Sequence, residues 1–228
     1  MNTYPKIETL YNRDVTGTKK LIEGSYRSKT VEMLAHLPIW DCYEKVDGSN
    51  HQIFWDGRRL TLLGRTEDSN VPPHIKEFFD SKFDNNETEE VFEQLFGNKP
   101  MVLFFEAIGK KIQKYGAKYG DSVRYVLLDV YNVNNDSWWD YDGIVSVAKA
   151  FNVECKLQID SGVTLDKAID IVKDKRLSLF TQCGDLPMEG LVCVPHVELK
   201  DANGERVIVK IKGCDFCSDW ATYMKQYR

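Results

Sequence analysis

The chain has 228 residues, a mass of 26.3 kDa, 43% hydrophobic and 29% charged residues, and a formal net charge of −5. That balance, with a mean hydropathy of −0.41, excludes wholesale disorder, collagen and coiled coil. No window approaches the ~18 apolar residues of a membrane span. The opening MNTYPKIETLYNRD has no apolar signal region, so an intracellular, cytoplasmic protein is expected, viral or phage origin included, without membrane association. Six scattered cysteines read as free thiols. Cys214 and Cys217 have metal-knuckle spacing without a second pair to complete it. The acidic total argues against a general nucleic-acid coat but leaves room for one local basic face.

In chain order, the aromatic and β-branched run at 40–46 (WDCYEKV) predicts a strand. A second strand, 51–55, meets Asp56-Gly57, a strong hairpin signal, before 58–63 returns. IKEFFDSKF (75–83) and TEEVFEQLF (88–96) space apolar residues by three and four and predict two short amphipathic helices. Strand texture recurs at 101–105 and 123–131, and helices are expected at 142–151 and 165–176, the second capped by Thr164. The last strands are 190–194 and 206–211, separated by a turn at 201–204, and 214–228 reads as one terminal helix. The fold class that follows is α+β, built on antiparallel sheets with inserted helices.

Four groups of residues carry chemical potential. In Glu44-Lys45-Val46-Asp47-Gly48, a lysine ends an apolar strand one residue before an Asp-Gly turn, where it sits at a mouth of the sheet. A hairpin loop with a surface lysine would look the same. In Val209-Lys210-Ile211-Lys212 the two lysines share one face of a strand. Their repulsion is relieved by an anion between them, although a solvated edge strand also favours lysine. Glu106, after the apolar run 101–105, and Glu189, at the entry to another strand, are carboxylates beside apolar segments, where charge is seldom found unless paired or metal-bound. Either could equally cap a strand end at the rim.

Taken in order, the KxDG element, Gly64-Arg65-Thr66, FFEAIG (104–109), a strand ending in Asp129, EGLV (189–192) and KIK (210–212) resemble the covalent nucleotidyltransferase superfamily of polynucleotide ligases and capping enzymes. The resemblance runs from about residue 40 to 212. Asn50 stands where DNA ligases and capping enzymes carry arginine. FFEAIG followed by Gly109-Lys-Lys-Ile-Gln-Lys-Tyr115 is similar to the nick-sealing RNA ligase branch, which includes phage and RNA-editing ligases.

The resemblance implies an antiparallel-sheet nucleotidyltransferase domain, an ATP-grasp-like ligase adenylation fold. Many members carry an OB or helical domain beyond the KxK strand, and because 214–228 is too short for either, a single domain over 1–228 without a separate C-terminal domain is expected. The resemblance also implies ATP as substrate, with AMP carried on Lys45, and Mg²⁺ (or Mn²⁺). A lysine is protonated and non-nucleophilic at neutral pH. Positive charge at Lys210 and Lys212 and a bound metal favour the neutral amine. The implied catalytic set is Lys45, Glu189, Lys210 and Lys212. Glu189 would hold the metal, directly or through its waters, with Asp47 as the second candidate. Glu44 would read the exocyclic amine of adenine, Glu106 the ribose hydroxyls, and Arg65 the sugar or acceptor phosphate, with Asn50 also at the nucleotide.

Two further steps would pass AMP to an RNA 5′-phosphate and join that end to a 3′-hydroxyl, on a nicked duplex, an RNA–DNA hybrid or single strands, by a monomeric enzyme. Lys110, Lys111, Lys114 and Lys118, interleaved with Tyr115 and Tyr119, are the basic candidates for the nucleic acid. The aromatic expected just before Asp129 is Leu128, so Tyr125 or Phe105 is left as the adenine-stacking ring. The alternatives are a minimal DNA ligase, a capping-type guanylyltransferase and a catalytically inactive nucleic-acid-binding module.

Overall fold

The computed structural model describes residues 4–65 and 69–227; Thr66 of the Gly64-Arg65-Thr66 element lies outside the described residues. The strands and helices are, from the N-terminus, β1 (Glu8–Thr9), β2 (Tyr11–Arg13), β3 (Leu21–Tyr26), α1 (Lys29–Leu34), β4 (Trp40–Lys45), β5 (Ser49–Trp55) and β6 (Leu60–Leu63). Then come α2 (Pro73–Phe83), α3 (Asn86–Phe96), β7 (Met101–Ile108), α4 (Gly116–Tyr119), β8 (Arg124–Asn132), β9 (Ser137–Trp138) and α5 (Tyr141–Ala150). The remainder is β10 (Glu154–Cys155), β11 (Gln158–Val163), α6 (Leu165–Lys173), β12 (Gly190–Pro195), β13 (Val209–Lys212), α7 (Gly213–Phe216) and α8 (Trp220–Tyr223). The architecture is α+β with mainly antiparallel sheets, as expected.

The chain forms two compact units. One comprises Asp47–Lys156 with Tyr4, and the other Pro5–Val46 with the segment from Leu157 onward. The first unit holds a sheet ordered β10-β8-β7-β5-β6, antiparallel except for the β10–β8 edge, with β9 also paired to β8. Asp56 Oδ1 accepts from the backbone N–H of Arg58 and Arg59, and Gly57 takes φ 100°, which closes the β5–β6 hairpin. Ile53, Trp55, Leu103, Phe105, Tyr125 and Leu127 point to one face of the sheet. There they pack against Ile75, Phe79 and Phe83 of α2, Phe92 and Phe96 of α3, and Ile144 and Val147 of α5. That aromatic core accounts for the spacing of the α2 and α3 sequences.

The second unit holds the sheet β1-β13-β12-β4-β11, antiparallel apart from the short β1–β13 edge. Trp40, Cys42, Leu191, Cys193, Val209 and Ile211 line its core face, covered by Leu165, Ala168, Ile169 and Val172 of α6. Thr164 caps α6 by accepting from Lys167 N, as the sequence predicts. The expected terminal helix is instead two short helices followed by a 3₁₀ turn at Met224–Tyr227. The indole of Trp220 folds back onto Gly213, where a Cβ would stand 2.3 Å from the ring, and this reversal cannot be made within one straight helix. Among the described residues, no helix is long and apolar enough to cross a membrane.

Candidate active site

In the second unit, strand register gathers most of the chemistry. Gly190 of β12 pairs with Lys45 of β4 on one side and with Lys212 of β13 on the other. Val192 likewise lies between Tyr43 and Lys210. Because Val209 and Ile211 enter the core, Lys210 and Lys212 emerge together on the opposite face, and alternation along β4 brings Lys45 to that same face. Glu189, immediately before β12, spans the row. Lys45 Nζ donates to its Oε2 at 2.6 Å, and Lys212 Nζ donates to its Oε1 at 2.5 Å. The Glu189 carbonyl also accepts from Gly213 N at 2.9 Å, which ties the residue to the end of β13.

The electrostatics follow from this geometry. Burial opposes charge on Glu189, but Lys45 and Lys212 outweigh it and hold the carboxyl below the usual range. Burial likewise opposes charge on Lys212, and the Glu189 carboxylate with its hydrogen bond outweighs it, so this ammonium is held above the lysine range. Lys210 is shifted the other way, by burial first and then by the neighbouring charges of Lys45 and Lys212. Among the described residues Lys210 makes no ion pair. Lys45, Lys210 and Lys212 thus stand around Glu189. Glu8 on β1, which also acts on Lys210, is itself paired with Lys6 and Arg27, so positive charge is in surplus and suited to an incoming phosphate.

The side chain of Glu44 takes the core side of β4. Glu44 follows Trp40 and Cys42 on that face and pairs with Leu191, so its side chain leaves the strand opposite to that of Lys45. It is 2% exposed, and its Oε2 accepts from Leu179 N at 2.9 Å.

In the first unit, Asn50 and Glu106 sit directly opposite each other on β5 and β7, on the face away from the helices. Asn50 Nδ2 donates to the Phe105 carbonyl, while its Oδ1 is buried without a partner among the described residues. Gly48 is required by a close approach: a Cβ there would lie 2.3 Å from the Ala107 carbonyl oxygen and 2.7 Å from Glu106 Cγ. The Asp47–Gly48 turn is held by Gln113, whose Nε2 donates to Gly48 O at 2.8 Å, and by a bond from Asp47 N to Tyr119 Oη. Gln113 and Tyr119 thus gain positioning roles that the motifs alone do not assign, although Gln113 stands in the IQ pair of the RNA ligase-like stretch. Arg65 is exposed at the end of β6, its carbonyl accepting from Gln52 Nε2.

Lys110, Lys111 and Lys114 lie on the segment between β7 and α4, and Lys118 lies on α4 itself, before β8. A bond from Lys110 N to Gly120 O closes the base of this stretch. Lys110 is 3.5 Å from Asp121, and Lys114 Nζ stands 5.1 Å over the Tyr115 ring. Also on β8, Asp129 accepts from Lys156 Nζ at 2.8 Å and from Tyr4 Oη at 2.6 Å, a buried network where the sequence pattern marks only an aspartate ending a strand.

Neither ring considered for stacking on adenine is available. Phe105 and Tyr125 are 0% and 1% exposed and stack on each other in the helix-covered core, with ring centroids 5.1 Å apart. Alternation along β7 and β8 directs both inward. Leu128, next to Asp129, is half-buried.

Among the described residues, no group of three or more acidic, histidine or cysteine side chains is gathered for a metal. Glu189 supplies the oxygen donors that Mg²⁺ and Mn²⁺ take, and such ions keep several waters and need only one or two carboxylates. The donor chemistry fits a metal held largely by water and phosphate. Cys214 and Cys217 are free, and Cys42 Sγ and Cys193 Sγ lie 3.3 Å apart as unbonded thiols within the core.

A family model described as RNA ligase matches residues 39–212. No curated protein matches the sequence. Among solved structures, an RNA ligase variant from Naegleria gruberi with ATP and Mn aligns over 98% of this chain and 63% of its own, at 16% identity and TM-score 0.61. The same ligase with PPi aligns over the same shares at 16% identity and TM-score 0.60. Another of its variants, with AMP and Mn, aligns over 97% of this chain and 63% of its own, at 15% identity and TM-score 0.57. The chain thus spans about 63% of the length of these structures.

Proposed function

The chain belongs to the RNA ligase family, and from that premise we propose that it is an ATP-dependent RNA ligase that joins a 3′-hydroxyl to a 5′-phosphate through AMP carried on Lys45. The observation that carries this reading is the Lys45–Glu189–Lys212 row with Lys210 beside it. An edge strand kept soluble by lysine needs no carboxylate clamped between two of them.

In the first step the Lys45 ammonium gives its proton to water, and the neutral amine forms a bond to the α-phosphorus of ATP. The bond from that phosphorus to the bridging oxygen breaks, and pyrophosphate leaves. Charge grows on the non-bridging oxygens, and Lys210 and Lys212 stabilise it. Lys45 must first leave Glu189, and a phosphate drawn to the surplus cations offers Lys212 a replacement partner. Glu189 is the residue to hold Mg²⁺ or Mn²⁺, with Asp47 as a second candidate; when bound, the metal neutralises phosphate charge.

On the first unit, Glu106 is assigned to the ribose hydroxyls, Asn50 to the nucleotide through its buried Oδ1, and Arg65 to the sugar or acceptor phosphate. The lysine-rich segment 110–118 is assigned to the RNA backbone. The Naegleria structures with ATP and Mn, with PPi and with AMP and Mn fit the same nucleotide chemistry.

The test is transfer of label from the α-phosphate of ATP or GTP onto the protein, followed by sealing assays on nicked duplex RNA, RNA–DNA hybrid and single strands. Labelling from ATP and joining of RNA ends support the reading. Labelling from GTP alone, or sealing only where the 3′-hydroxyl strand ends in DNA, contradicts it.

A further inference from the structure

Two consecutive residues of β4, Glu44 and Lys45, grip the two arms of one hairpin. The segment between α6 and β12 turns back on itself: Leu177 bridges Pro187, Ser178 N donates to Leu186 O at 2.8 Å, and Met188 N donates to Arg176 O at 2.9 Å. The return arm ends at Glu189, held by Lys45. The outgoing arm is held at Leu179 by Glu44, from the opposite face of the strand. The backbone of Glu44 is tied as well, its N–H donating to Leu157 O at 2.9 Å.

We infer that Glu44 is a positioning residue, which fixes where Glu189 stands against Lys45 by clamping the 176–188 hairpin to β4. The inference rests on the lysyl-AMP reading for its catalytic consequence and replaces the contact with adenine expected for Glu44. Its physical basis is orientation and access. Strand alternation turns the side chain away from Lys45, and Oε1, the oxygen left for a nucleobase amine, is buried without a partner among the described residues. Burying a carboxylate in this way is unfavourable. Burial raises the Glu44 carboxyl above its usual range, and the bonds from Ser178 and Leu179 offset this only in part. A residue retained at that cost here binds two segments, β4 and the outgoing arm of the hairpin.

The experiment compares the full-length wild type with Glu44→Ala and Glu44→Gln by hydrogen exchange over 176–190 and by the rate of AMP-adduct formation across ATP concentrations. Glu44→Ala is expected to speed exchange in that segment and slow adduct formation by about 10- to 100-fold, the usual range for loss of a supporting partner. Its KM for ATP should stay within about 3-fold. Glu44→Gln keeps an acceptor for Leu179 N–H and should restore both measurements, with the ATP-to-GTP preference unchanged. If Glu44→Ala does not fold, Glu44→Asp, which withdraws the carboxylate by one methylene, takes its place with the same expected losses. A Glu44→Gln variant as slow as Glu44→Ala, with altered nucleotide preference or raised KM, would show that the side chain reads the base. Unchanged exchange and rate in a folded Glu44→Ala would remove the clamp. A wild type that forms no adduct defeats the lysyl-AMP reading instead, and the exchange measurement then decides alone whether Glu44 holds the hairpin.

Discussion

Lys45 and Lys212 flank Gly190 on its two neighbouring strands, and each donates to a different oxygen of the same carboxylate, Glu189. The arrangement depends on close strand packing at Gly190, where a Cβ would lie 2.0 Å from the Ile211 carbonyl oxygen. Gly190→Ala must therefore push β12 from β13. The expected cost is roughly 1–3 kcal/mol or more, read as a lower denaturation midpoint, together with a loss of adduct formation larger than that destabilisation explains. A variant as stable and active as the wild type would show that the row tolerates displacement.

Glu189→Ala removes the anion between Lys45 and Lys212 and the oxygens assigned to the metal. Adduct formation is expected to fall by at least about 100-fold, as when a group acting directly on transition-state charge is lost. Lys210→Ala is expected to behave similarly, since Lys210 adds positive charge beside the row and, among the described residues, makes no ion pair with Glu189. Single-turnover rates at saturating ATP and metal check both. A loss confined to KM would mean these groups only bind nucleotide.

Lys45→Ala should abolish every step that starts from ATP and spare the joining of an RNA end already carrying AMP. A sealing assay on chemically pre-adenylated 5′ ends separates the two. Loss of that last step in a folded variant would place Lys45 in more than AMP transfer.

Stability should depend on pH through His51. The ring is 2% exposed, lies alongside Tyr125, and has no hydrogen-bond partner for either nitrogen among the described residues. Burial, with a smaller contribution from His74, lowers its pKa to about 4, against about 6.5 for an unhindered histidine. Between those values the unfolded chain binds a proton that the folded chain refuses. This contribution is fully present above about pH 6.5 and is lost as pH falls toward 4. Thermal unfolding of the wild type and His51→Phe across that window checks it: the wild-type midpoint should fall more steeply with acid. Parallel curves would assign the acid sensitivity to other groups.

The lysine-rich segment should set the ionic-strength dependence of RNA binding. Replacing Lys110, Lys111, Lys114 and Lys118 by alanine is expected to reduce the slope of log affinity against log salt by about 0.7–0.9 for each phosphate contact removed. AMP-adduct formation should be unaffected. An unchanged slope would move the RNA path elsewhere.

Much of the fold and of the cationic cluster is legible in the sequence because strand alternation is a local rule. Alternation alone puts both lysines of Val209-Lys210-Ile211-Lys212 on one face, and Asp56-Gly57 and Thr164 announce a hairpin and a helix start. The same rule also foretells features that motif order obscures. Glu44, next to Lys45 in a strand, has to point away from it, and Phe105 lies on the inward series Leu103, Phe105, Ala107. What local rules do not supply is register. Nothing in the Glu189 neighbourhood shows that Gly190 pairs with both Lys45 and Lys212, since Lys45 is far away in sequence and either strand could slip by a residue. The edge strand β11, QIDSGV, lacks alternation and pairs with β4 through two register shifts, so it carries no strand signature of its own. The terminal segment breaks into short helices because a tertiary contact, Trp220 on Gly213, overrides its local preference.

The proposed ligase chemistry requires that the side chain of Lys45 take up AMP. Incubation of the full chain with ATP and Mg²⁺, followed by peptide mass spectrometry under conditions that preserve the nitrogen–phosphorus bond, measures this directly. The expected result is one AMP located on Lys45, absent from Lys45→Ala and removed when pyrophosphate is added back. An unmodified protein, or an adduct on a different residue, would contradict it.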